Sequence, residues 1–128
     1  MVITLLPVFG VAYLLSASST ATEKTYGRLQ HDIDFDKSNI TEGEIDKIAD
    51  VLTKQGFFDE ELKKSVDVHK EGNKYELTIY CNETARNNPE VVKYFTDFRS
   101  EFQKSFPENP IVFKLVVGTP DEVVARIE

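Results

Sequence analysis

The side chains best suited to nucleophilic, acid–base or metal chemistry are His31, His69 and Cys81, the only histidines and the only cysteine among 128 residues. Each histidine has acids close by in sequence, but neither belongs to a ligand-spaced motif. A joint metal or acid–base centre would require His31 and His69 to meet in space, with a base oriented by a second group. Cys81 closes the apolar face of a predicted strand, which suits a small buried hydrophobe better than a nucleophile. One cysteine also excludes an internal disulfide. The sequence contains no Ser/His/Asp order, no Gly-rich phosphate loop and no Cys/His cluster. No catalytic, cofactor-binding or metal-ligating residue is therefore assigned, and no cofactor is expected.

The stretch "HDIDFDKSNITEGE" begins with acids two apart, at Asp32, Asp34 and Asp36. A calcium loop beginning at Asp32 would need Gly at its sixth position and Glu at its twelfth, where Lys37 and Gly43 stand. Period two instead predicts a strand, with Asp32, Asp34 and Asp36 on a solvated face at ordinary pKa values. Two sequons, at Asn39 and Asn82, matter only in a eukaryotic secretory setting.

The elements that must position these groups have clear signals. In "RLQHDIDFD", Leu29, His31, Ile33 and Phe35 share the apolar parity of a half-buried strand. Thr41 and Glu44 form a capping box, and Gly56 stops the helix they open, whose stripe is Ile45, Ile48, Ala49 and Leu52. "KKSVDVHKEGNKYELTIYC" predicts a hairpin turning at Glu71-Gly72-Asn73. Its second arm faces the core with Tyr75, Leu77, Ile79 and Cys81. Asn88 and Pro89 open a second helix striped with Val91, Phe95, Phe98, Phe102 and Phe106. "PIVFKLVVG" is an apolar strand. The tail predicts a further strand turning at residues 118–121, although Thr119 to Glu122 also spell a capping box. The order β-α-β-β-α-β(-β) suggests a ferredoxin-like α+β fold, an antiparallel sheet with two helices on one face.

The stretches "NITEGEIDKIADVLTKQGFFD", "KKSVDVHKEGNKYELTIY" and "PIVFKLVV" resemble a family of small, uncharacterised bacterial α+β domains commonly found after a membrane segment. The likeness covers roughly three fifths of the chain and rests on a helix cap, a Gly-Phe-Phe-Asp corner and a hairpin. It departs at the first strand, where that family favours tyrosines. The resemblance implies fold and membrane association; it carries over no activity and no site residues.

The first 22 residues bear no charge, while the rest hold all 22 acids and 15 bases. Residues 2–21, as a helix, would reach about 30 Å, one hydrocarbon thickness. They are expected to form a single-pass membrane anchor or signal segment within residues 1–21, followed by a polar linker over 22–27 and an α+β domain over 28–128. Lys24 and Arg28 after the span favour a cytoplasmic domain, while the small-residue tail Ser19-Thr20-Ala21 favours export. The net charge of -7 disfavours nucleic acid as a partner. These features point to a membrane-anchored, non-enzymatic interaction domain, an accessory subunit contacting the bilayer through residues 2–21 and other membrane subunits beside it. The alternative is an exported small-ligand or metal-binding domain or enzyme using His31 and His69.

Overall fold

The computed structural model describes residues 21–128. The proposed anchor, apart from Ala21, lies outside these described residues. No helix among them is long and apolar enough to cross a membrane.

Six strands form one mixed sheet in sequential order: β1 (Ala21–Tyr26), β2 (His31–Asp36), β3 (Ser65–Glu71), β4 (Lys74–Cys81), β5 (Ile111–Val117) and β6 (Val123–Ile127). Helix α1 (Glu42–Lys54) joins β2 to β3, and α2 (Pro89–Lys104) joins β4 to β5. The strands of each pair are parallel and adjacent, while β1/β2, β3/β4 and β5/β6 are antiparallel. The fold is thus α+β but not ferredoxin-like. In the ferredoxin-like arrangement each β-α-β unit leaves a gap that the other unit's strand fills; here each closes on its immediate neighbour. The two units run in opposite directions, yet step the same way across the sheet with both helices on one face. Crossovers so related have opposite hands, so one is left-handed, against the strong general preference.

The local signals act where expected. Thr41 Oγ1 accepts the Glu44 N–H, and the Glu44 carboxylate accepts the Thr41 N–H, closing the box. Only Gly72 of the Gly72-Asn73 loop takes a positive φ (62°), the pattern of a type II′ hairpin. Asn88 caps α2. The tail is a strand, as expected, paired antiparallel to β5.

Two boundaries differ. Residues 22–27, expected as a linker, form most of β1. Its inward residues are Thr22, Lys24 and Tyr26, so no apolar alternation marks it. Lys24 Nζ and Tyr26 Oη each donate to Asp46 of α1 at 2.8 Å, binding the strand by polar contacts instead. Leu29, expected on the strand's core face, lies in the β1–β2 turn, where Gly27 and Gln30 adopt positive φ.

The core lies between the helices and one sheet face. Phe35, Val68, Leu77 and Phe113 form a row across four strands. Phe98 and Phe102 of α2 meet Phe113 edge-on at 5.3 and 5.7 Å between centroids. The opposite face carries no helix among the described residues.

Candidate functional site

His31 and His69 do not meet. His31 shares the core face with Ile33 and Phe35, whereas His69 alternates with buried Val68 and stands exposed on the other face. His31 is 3% exposed, and both of its nitrogens are engaged. Nδ1 accepts the Lys64 backbone N–H at 3.0 Å, so Nε2 carries the proton donated to Asp59 O at 2.6 Å. The ring stacks on Phe58 with centroids 4.6 Å apart. His31 therefore fastens the segment after α1 to the start of β2 and has no nitrogen left for a ligand.

Cys81 is half-buried beside a cleft of about 480 Å³ that Phe57, Leu62, Val91 and Phe95 also line. Burial pushes its thiol up, so it remains protonated and a weak nucleophile at neutral pH. Among the sequons, Asn39 Nδ2 donates to Lys70 O at 2.8 Å, and Asn82 Oδ1 accepts the Thr84 N–H of a short 3₁₀ turn.

The feature that the sequence does not announce is a row on the helix-free face. Register aligns Glu23, Asp34, Asp67, Thr78, Lys114 and Arg126, one residue from each of the six strands. Acids occupy the β1 side and bases the β6 side. The basic end is satisfied internally: Glu76 faces Lys114 at 3.8 Å and Arg126 at 2.7 Å. On the acidic side, Asp32 receives Lys63 Nζ at 2.6 Å and Ser65 Oγ at 3.0 Å, and Asp67 receives the Tyr80 hydroxyl at 2.6 Å. Oxygens of Glu23, Asp32 and Asp34 lie within 4.8 Å of one another.

Asp34 sits in the middle of these acids. Loss of water among the strands, then the charges of Asp67, Asp32 and Glu23, raise its carboxyl to about 6. This corrects the expectation of three ordinary solvated aspartates. Asp32 is buried, and Asp34 is far from ordinary. The signal would have needed strand pairing: Glu23 and Asp67 are 11 and 33 residues from Asp34 in sequence, and only register makes them neighbours. A groove of about 650 Å³ opens beside the row, lined by Asp34, Asp67, His69, Glu76, Thr78 and Lys114 among others. No family model, curated protein or solved structure matches this sequence. Chemically, the acidic end of the row can hold positive charge.

Proposed function

We propose that the chain is a non-enzymatic interaction domain, held at a membrane by residues 2–21 as a single-pass accessory subunit of a membrane assembly. Its helix-free sheet face receives a basic segment of a partner subunit. The observation that carries this reading is Asp34, raised to about 6 between Glu23 and Asp67. Opposed like charges destabilise a sheet. A lysine or arginine laid across the row relieves that repulsion and draws the Asp34 carboxyl back down toward its ordinary value, so the cost becomes binding energy. The charge-free stretch supports the membrane location, and the separated histidines give no support to a joint site.

The test is purification of the full chain from detergent-solubilised native membranes beside the double variant Glu23→Lys, Asp34→Lys. Both positions are exposed, and folded abundance is measured for both proteins. A stoichiometric membrane subunit recovered with the wild type and lost with the variant, at equal folded abundance, is expected. Retention of that subunit by the variant, or a wild type that purifies without one, contradicts the reading.

A further inference from the structure

A second site lies on the other side of the molecule, in the groove between the two helices. Tyr94, Asp97, Phe98 and Glu101 follow i, i+3, i+4, i+7 spacing and so share one face of α2. With Gln55, the C-cap of α1, they line a groove of about 390 Å³. Tyr94 is 52% exposed, whereas Phe98 is buried at the groove's base. Their rings lie 6.1 Å apart, inclined at 42°. Gln55 Oε1 is shut off from solvent and accepts no hydrogen bond among the described residues.

We propose that this groove binds an arginine side chain presented by a partner protein. Each part of the chemistry narrows the occupant. Aromatic faces attract cations. Two carboxylates one turn apart suit a forked donor better than a point charge. The orphaned Gln55 oxygen calls for an N–H, which a quaternary ammonium lacks and the guanidinium has to spare. A half-turn of the soft last torsion of Gln55 brings that oxygen to the groove and sets the amide nitrogen in the closed position instead. Asp97 and Glu101 now pair with Lys93 and Lys104, each at 2.9 Å, along the same helix. Such exposed pairs are weak and readily exchanged. This site is separate from the acidic sheet row and does not depend on it.

The test is a titration of the full-length chain in detergent micelles with three short acetylated, amidated tripeptides, Gly-X-Gly, where X is arginine, citrulline or lysine. Citrulline keeps the shape of arginine without the charge. NMR shifts of the Gln55 side-chain amide and the Tyr94 ring report occupancy. Saturable shifts with the arginine peptide are expected, with the citrulline peptide at least roughly tenfold weaker and lysine in between. Tyr94→Ala and the surface pair Asp97→Asn, Glu101→Gln should each weaken the arginine response about fivefold or more, with melting temperature showing that they remain folded. Equal response to arginine and citrulline, shifts away from the groove, or no loss in the folded surface-pair variant would overturn the proposal.

Discussion

Asp34 and Glu44 are two carboxylates driven in opposite directions by their surroundings. Asp34 is raised from 3.8 to about 6. Its protonation therefore stabilises the fold at low pH, fully below its unfolded value, and that contribution fades as pH rises through about 6. At Glu44 burial works against the charge. The Lys70 ammonium at 2.7 Å, the Thr41 N–H and the Tyr75 hydroxyl at 2.5 Å outweigh it and hold the carboxyl at about 2. Glu44 thus contributes stability above its ordinary value of 4.5, which is lost as pH falls toward 2. Melting temperature across pH 3–8 should peak near about pH 4, where most of the Glu44 contribution is present and most of that of Asp34 is not yet lost, and should decline from there to about pH 6. Asp34→Asn should raise the melting temperature at pH 7 and flatten the profile between 4 and 7. A variant no more stable than wild type at pH 7 would show that the acidic row is not strained.

At His31 the expectation is structural. His31→Ala removes two hydrogen bonds and a stacked ring, so chemical denaturation should show a loss of about 2–3 kcal/mol. His69→Ala, at an exposed site, should stay within about 0.5 kcal/mol of wild type. Both should complement a deletion strain once folded protein is matched. Loss of function in both variants at normal abundance would promote the two-histidine reading.

Among the elements, α2 is the clearest case of sequence dictating structure. Its phenylalanines at helical spacing are all buried: Phe95, Phe98, Phe102 and, just beyond the helix, Phe106. Phe102 is wholly buried and touches Phe98, Phe106 and Phe113. Phe102→Ala should cost about 3–5 kcal/mol by the cavity it leaves, read from a denaturant midpoint at unchanged slope. Element type was legible wherever one residue type carried one signal: the Thr41 box, the Gly72 turn, the Phe stripe. β1 was hidden because its inward side chains are polar, and their partners in α1 lie some 20 residues away. Leu29 was misplaced because the positive φ of Gln30 gives no compositional sign. The acidic row was illegible for a deeper reason. Period two identifies a face, but only pairing says whose acids meet on it.

For the whole molecule, element order alone did not determine strand order. The same β-α-β-β-α-β core serves an interleaved sheet or the sequential one found, and handedness favoured the former. The result separates two surfaces: a helix layer holding the core and the arginine groove, and a sheet face that carries no helix among the described residues and is polarised from acid at β1 to base at β6. The cap, corner and hairpin behind the resemblance to membrane-associated domains are local devices that many folds share. Membrane attachment through residues 2–21 is a matter for intact mass. Protein from native membranes should retain these residues, and a mature chain beginning near Thr22 would leave only the export reading.

The interaction of the sheet face is tested most directly by zero-length carboxylate-to-amine coupling in native membranes, followed by peptide mapping. Such coupling joins only groups already in salt-bridge contact. Links from Glu23, Asp34 or Asp67 to lysines of one other membrane subunit are expected, suppressed by high salt and weakened below about pH 6 as Asp34 takes up its proton. Those three carboxylates joining no lysine outside this chain, while acids elsewhere on it are linked to a neighbour, would contradict the account.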